Sequence, residues 1–166
     1  MKPALLVIDM QERFVMEASA AMKQSWEDAI ASINQIIRLF RQKGFPVIGV
    51  EHTDADDCLV PGSAGFDLDR RIDLLPEDTR VRKKFGSAFA KTELASILRE
   101  RGADTVVVSG FCAEWCVLAT TRGAEPEGIK AMILSDGVAS GHPARIPFVL
   151  EINESISSGA LEALLL

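Results

Sequence analysis

The stretch TVVVSGFCAEWC, residues 105–116, joins a run of β-branched residues to a short loop that carries two cysteines. The run is largely apolar on both faces, which is typical of a strand buried inside a parallel sheet. Similar short runs predict four more strands, at residues 4–8, 46–50, 79–83 and 130–135. The run at 79–83, TRVRK, alternates polar and apolar residues, so we expect one of its faces to meet a site.

Helical patterns separate or follow these runs, at residues 26–43, 92–101, 116–125 and 146–165. Gly44 and Gly102 follow the first two patterns and fit the left-handed conformation that commonly ends a helix. The repeated β–α–β order predicts right-handed crossovers between parallel strands. We therefore expect one three-layer α/β/α domain, Rossmann-like, with a mostly parallel sheet over residues 1–166.

Composition excludes several classes of protein. No apolar run approaches the roughly 20 residues of a membrane span, and a net charge of -6 argues against binding to nucleic-acid phosphates. The three cysteines, Cys58, Cys112 and Cys116, are odd in number and lack a zinc spacing. The amino terminus shows no signal-peptide pattern. We expect a cytoplasmic protein with neither a nucleic-acid nor a membrane partner.

Reactive side chains follow three of the predicted strands. Asp9 comes directly after the first strand, Lys83 ends the third, and Cys116 follows the fourth at the start of a predicted helix. Ligands of open parallel sheets bind at this edge. A helix amino terminus and a nearby ammonium favour a thiolate, so Cys116 could attack a carbonyl carbon while Asp9 transfers the proton. The backbone N–H groups of Cys112 and Cys116 are candidate oxyanion donors.

These residues also have plainer interpretations. Asp9 could cap a turn, and Cys116 could be a small buried hydrophobic residue. We expect Cys58 and Cys112 to be buried in this way or simply unreactive. Lys83 and Lys84 could both be solvated. Strand parity allows at most one of them to face the site and favours Lys83.

Other site types find little support in the sequence. The only histidines are His52 and His142, so we disfavour a Ser–His–Asp type of triad and exclude a metal site built from several histidines. We expect His52 to satisfy a local hydrogen bond, with a place at the border of the pocket as the alternative, and Asp136 to be structural. A flavin or nucleotide binder would need a glycine-rich phosphate loop, which DMQER at residues 9–13 does not provide. No metal or cofactor is expected.

Four regions in order resemble the isochorismatase-like cysteine hydrolases, a superfamily that includes nicotinamidases and N-carbamoylsarcosine amidases. The regions are LLVIDMQERF (5–14), VRKKFGSAFAKTEL (81–94), VVVSGFCAEWCVLATTRGA (106–124), and ILSDGVAS (133–140) with EINESI (151–156). The resemblance implies a sheet of about six strands and a catalytic triad of Asp9, Lys83 and Cys116. It also implies hydrolysis of a C–N bond through a thioester on Cys116.

The same resemblance implies further features of the site. It suggests a cis peptide bond between Phe111 and Cys112, and it places Phe14 and Trp115 at the border of the pocket. It favours a homo-oligomer that acts on a small amide, carbamoyl or ureido compound. Where nicotinamidases carry a metal site, this sequence supplies only His52, which disfavours metal-dependent nicotinamide hydrolysis. The alternative is a catalytically idle member that binds small molecules or serves as a scaffold.

Overall fold

A single sheet of six parallel strands forms the centre of the computed structural model, which describes all 166 residues. The strands are β1 (Pro3–Ile8), β2 (Val47–His52), β3 (Thr79–Lys83), β4 (Thr105–Phe111), β5 (Lys130–Ala139) and β6 (Ser155–Ile156). Their order across the sheet is β3-β2-β1-β4-β5-β6. The chain winds outwards from β1 in one direction and from β4 in the other. The predicted α/β class and parallel sheet are confirmed.

Six α-helices flank the sheet: α1 (Glu12–Val15), α2 (Ala20–Lys43), α3 (Leu94–Glu100), α4 (Leu118–Gly123), α5 (Ile146–Glu151) and α6 (Ser158–Leu165). A π-helix spans Ala113–Val117, and 3₁₀ turns span Glu125–Glu127 and Pro143–Arg145. No helix has the length and apolar character needed to cross a membrane.

Alternate residues of β1 belong to two separate cores. Leu6 and Ile8 lie in the core that also contains Leu94 of α3, whereas Leu5 and Val7 lie in the core with α2. Because both faces of the sheet are covered, the central strands are apolar throughout and lack a simple alternation of polar and apolar residues.

Two helix boundaries differ from the prediction. Helix α2 begins at Ala20 and not near residue 26, because the side chain of Ser19 accepts a hydrogen bond from Met22 N and caps the helix. The helix expected from residue 116 instead begins as the π-helix at Ala113, so Cys116 lies within the first turn and not at its start.

The single helix predicted over residues 146–165 is wrong. Strand β6 interrupts it, and Ser157 caps a new helix, α6, by accepting a hydrogen bond from Ala160 N. Asp136 in β5 accepts a further bond from Ser158 N at 2.9 Å. This contact ties the start of α6 to the sheet and supports the structural interpretation of Asp136.

Candidate active site

Asp9 lies at the carboxyl end of β1, where the winding of the sheet reverses between β1 and β4. Its backbone adopts a left-handed conformation with φ 49°, which aspartate tolerates better than most residues. Its N–H donates to Val50 O at 2.9 Å, so the turn stays joined to β2. The side chain is only 2% exposed; Oδ2 lies 2.8 Å from Lys83 Nζ, and Oδ1 has no hydrogen-bond partner.

Lys83 ends β3 and points into the same buried region, with a side chain that is 0% exposed. Lys84 is exposed, as strand alternation requires. The Lys83 ammonium contacts Asp9, the Phe85 carbonyl oxygen at 3.0 Å and Cys116 Sγ at 3.3 Å. The structure therefore brings Asp9, Lys83 and Cys116, called the candidate triad below, into direct contact through the lysine.

The protonation of Cys116 differs from the sequence-based expectation of a readily formed thiolate. Burial, together with the nearby Asp9 carboxylate, raises the pKa of the Cys116 thiol to about 12, although Lys83 opposes this change. Burial also raises the pKa of Asp9 above its ordinary value of 3.8, again against the effect of Lys83. Two interacting acids of this kind titrate as a pair. Burial therefore opposes full ionisation of this pair, and the nearby Lys83 partly offsets that effect.

The last residues of β4, together with the loop that joins β4 to the π-helix, pass very close to β1. Gly110 has φ 107°, and a Cβ atom at this position would collide with the backbone of Ile8. The next peptide bond, between Phe111 and Cys112, is cis, as the resemblance suggests. Among the hydrogen bonds within the chain, none uses the Cys112 N–H as a donor. This N–H is thus available to a ligand.

Polar side chains stabilise the same loop. The Cys112 thiol lies 2.9 Å from Glu114 Oε2, and burial raises the pKa of this thiol to about 11. Glu114 also accepts hydrogen bonds from Ser140 Oγ at 2.7 Å and Arg145 Nη1 at 3.2 Å. Cys112 is buried, as expected, whereas Cys58 is exposed, so only the expectation that Cys58 is buried was wrong.

A cavity of about 590 Å³ opens beside the candidate triad. Asp9 and Cys116 line it together with Phe111 and Cys112, and both Phe14 and Trp115 also line it. The Phe14 ring packs on Phe111 with centroids 5.2 Å apart. Trp115 is 67% exposed, so most of its indole surface faces outwards. Charged and titratable side chains complete the wall: Arg13, Glu17, His52, Asp57, Glu114 and His142.

Two residues beside the triad were missed or underestimated from the sequence. His52 Nδ1 lies 3.1 Å from Lys83 Nζ, so its hydrogen bond is made within the site. Gln11 is completely buried and binds the backbone of His52 with both ends of its amide. A polar residue three positions after the end of the first strand was the only sequence signal for Gln11. No cluster of three or more His, Cys, Asp or Glu side chains is arranged to hold a metal ion.

The protein is thus a doubly wound α/β protein in which a buried aspartate, a buried lysine and a partly buried cysteine meet at the edge where the winding of the sheet reverses. Residues 3–151 match the family model described as the isochorismatase domain. The chain therefore belongs to the isochorismatase family of hydrolases, and the resemblance read from its motifs is confirmed.

Relatives in this family have diverse names. The isochorismatase family protein YrdC of Bacillus subtilis is 30% identical over 84% of this chain and 74% of its own length. The streptothricin hydrolase of Streptomyces noursei is 27% identical, and the match covers 96% of this chain but only 63% of that protein. An Arabidopsis thaliana protein, 26% identical over 84% of this chain and 82% of its own, is named "Probable inactive nicotinamidase".

Solved structures agree with the fold over almost the whole chain. An isochorismatase-like hydrolase from Alkaliphilus metalliredigens has a TM-score of 0.88 at 27% identity, covering 99% of both chains. The N-carbamoylsarcosine amidase from Thermoplasma acidophilum has a TM-score of 0.81 at 26% identity, covering 95% of this chain and 97% of that one.

Proposed function

We propose that this protein is a cysteine amidohydrolase that cleaves a C–N bond of a small amide, carbamoyl or ureido compound. The observation that carries the proposal is the position of Lys83 Nζ, 2.8 Å from Asp9 Oδ2 and 3.3 Å from Cys116 Sγ. An acid/base, a cation and a nucleophile thus lie together beside the cavity, and the cation contacts both of the other groups. This is the arrangement that nucleophilic catalysis requires.

Asp9 is proposed to act as the general base of the first step. Its raised pKa makes its carboxylate a stronger base than an ordinary aspartate. As Cys116 Sγ bonds to the carbonyl carbon, the thiol proton passes to Asp9. The Lys83 ammonium stays in place and balances the single negative charge of the pair.

The carbonyl oxygen then carries the negative charge of a tetrahedral intermediate. The N–H of Cys112, which has no partner within the chain, and that of Cys116 are the proposed donors to this oxygen. When the intermediate collapses, the C–N bond breaks and the nitrogen takes the proton from Asp9. An amine or ammonia departs, and the acyl group remains on Cys116 as a thioester.

Water completes the reaction. Asp9 removes a proton from the water as its oxygen attacks the thioester carbonyl. The C–S bond breaks, Asp9 returns this proton to the Cys116 sulfur, and the carboxylic or carbamic acid leaves. The step consumes one water per C–N bond and needs no cofactor or metal ion.

The cavity walls support a small substrate with one apolar face. Phe14 and Phe111 form a packed aromatic pair beside Cys116, and Trp115 extends the apolar wall towards the opening. Phe14 and Trp115 are the proposed substrate contacts. The structural relative named above is an N-carbamoylsarcosine amidase, which favours amide-type chemistry over other hydrolysis.

We also propose that the chain works as a single-domain homo-oligomer in the cytoplasm. Trp115 and Phe148 are large apolar side chains that are 67% and 63% exposed. Exposed aromatic residues of this kind are enriched in interfaces between subunits. Sedimentation of the purified protein at several concentrations tests this part, with a monomer at all of them as the contrary result.

Release of ammonia or amine from a panel of small amides, carbamoyl and ureido compounds tests the proposed function. Cys116→Ser is expected to lose at least about 100-fold in turnover. The matched control, Cys58→Ser, changes an exposed thiol outside the cavity and is expected to keep the parent rate.

The second candidate function is that of a catalytically inactive family member, which binds a small molecule without hydrolysing it. The relative named as an inactive nicotinamidase favours it. It requires that neither the parent nor Cys116→Ser releases product from any compound of the panel. A rate in the parent that depends on Cys116 excludes it.

A further inference from the structure

His52 lies beside the candidate triad but has no part in the mechanism proposed above. It ends β2, is partly buried and lines the cavity, and its Nδ1 lies 3.1 Å from Lys83 Nζ. An ammonium group has donors and no acceptor. The contact is therefore a hydrogen bond only when Nδ1 keeps its lone pair, with the ring proton on Nε2.

The Lys83 ammonium has three N–H groups and only three oxygen or nitrogen acceptors around them. These acceptors are Asp9 Oδ2, the Phe85 carbonyl oxygen and His52 Nδ1, whereas Cys116 Sγ at 3.3 Å is a much weaker acceptor. The lysine side chain is 0% exposed. Bulk water therefore does not replace an acceptor that is removed from this shell.

The position of His52 is fixed by a second residue, Gln11. The Gln11 side chain accepts from His52 N at 2.8 Å and donates to His52 O at 3.1 Å, and it also donates to Phe66 O at 2.8 Å. Gln11 itself is completely buried. A buried amide that satisfies both backbone groups of one residue leaves that residue little freedom.

The charges around the imidazole keep it in the required form. Burial and the Lys83 ammonium lower the pKa of His52, against the opposing effects of Asp9, Asp54 and Asp57. Since the usual pKa of histidine is already near 6.5, the ring is neutral at neutral pH. A neutral ring can accept the lysine proton.

We propose that His52 is a positioning residue that holds the Lys83 ammonium against Asp9 and Cys116. The inference rests on the proposed function, because it takes Lys83 as the partner of a nucleophilic Cys116. A hydrogen bond to the charged form of a group favours that form. Loss of the His52 acceptor therefore disfavours the ammonium, and the thiolate of Cys116 loses support from its counter-charge.

Alkylation of Cys116 by iodoacetamide tests this inference without a known substrate, because the reagent reacts with the thiolate. The variants are His52→Leu, which removes the acceptor, and His52→Asn, whose side-chain oxygen can take the place of Nδ1. Peptide mass spectrometry follows the labelling of Cys116 and Cys58 in the same sample. Cys58 is exposed and serves as the internal control.

We expect His52→Leu to slow labelling of Cys116 relative to Cys58 by about tenfold, the effect of one pKa unit on the thiolate. His52→Asn is expected to stay within about threefold of the parent. If His52→Leu does not fold, as judged by its circular dichroism, His52→Ala replaces it with the same expectation. Unslowed labelling in the variant without an acceptor, or equal slowing in His52→Asn, would overturn the inference.

The Cys116→Ser measurement distinguishes this inference from the proposed function. Hydrolysis that is lost in Cys116→Ser, together with unslowed labelling in His52→Leu, would overturn the role of His52 alone. Hydrolysis that survives in Cys116→Ser would instead overturn the proposed function itself.

Discussion

The Asp9 carboxylate lies 2.8 Å from the Lys83 ammonium although their strands, β1 and β3, are separated in the sheet by β2. Both side chains are almost fully buried, so neither charge is solvated on its own. Removal of one partner of a buried pair leaves an uncompensated charge, which is strongly destabilising. The pair therefore supports the fold as well as the proposed chemistry.

Lys83→Met keeps most of the side-chain volume and removes the charge. We expect turnover to fall at least about 100-fold and the free energy of unfolding to fall by about 3 kcal/mol, because Asp9 is left buried without its cation. Lys84→Met is the matched control, since Lys84 directly follows β3 and is exposed. Urea denaturation and the hydrolysis assay check both variants; equal effects of the two substitutions would contradict the assignment of Lys83.

The pH dependence of turnover follows from Asp9. Its carboxylate must be unprotonated to take the thiol proton, and burial raises its pKa above 3.8. As the pH falls through this raised value, the pair gains a second proton and activity is lost. We expect the acid limb of kcat/KM at a higher pH than an ordinary aspartate gives. An acid limb at or below 3.8 would contradict the assignment, whereas Asp9→Asn should be inactive at every pH.

Gly110→Ala should damage the fold next to residues 111–116, the segment that leads from β4 to Cys116 and is called the nucleophile loop below. The residue has φ 107°, and its new Cβ would meet the Ile8 backbone, which cannot move without shifting β1. We expect a loss of at least about 3 kcal/mol in the free energy of unfolding. Gly128→Ala is the matched control: it also has a positive φ, at 72°, but open space around it. Equal losses of stability in the two variants would contradict this account, because they would show that the positive φ, and not the collision with Ile8, causes the loss.

Asp136→Ala tests the connection between β5 and α6. The substitution removes the acceptor for Ser158 N and leaves this N–H at the start of the helix without its partner. We expect the protein to lose about 1 kcal/mol of stability, the usual effect of a lost helix cap, with labelling of Cys116 unaltered. A change in Cys116 labelling at unchanged stability would instead assign Asp136 to the nucleophile loop.

The buried strands were predictable because both faces of β1 and β4 pack against apolar layers, which leaves a continuous hydrophobic signal in the sequence. Strand β6 was not predictable, since two residues are too few to show any periodicity. The extent of α2 depended on Ser19, whose capping bond is a local event that the apolar pattern does not record.

The candidate triad could be predicted because each member follows or ends a strand at the same edge of the sheet. The environment of each of these side chains could not be predicted from the sequence. The raised pKa values of Asp9 and Cys116 depend on burial and on mutual distance, which only the folded chain defines. The contact between His52 and Lys83 likewise joins the ends of two strands whose register no motif specifies.

The proposed thioester on Cys116 is the central claim, and intact-protein mass spectrometry of acid-quenched reactions with a hydrolysed amide tests it most directly. The account predicts a mass increase equal to the acyl group, located on the Cys116 peptide, present in the parent and in Cys58→Ser and absent from Cys116→Ser. Turnover of the amide without an adduct on Cys116 at any quench time, and with the same rate in Cys116→Ser, would contradict it.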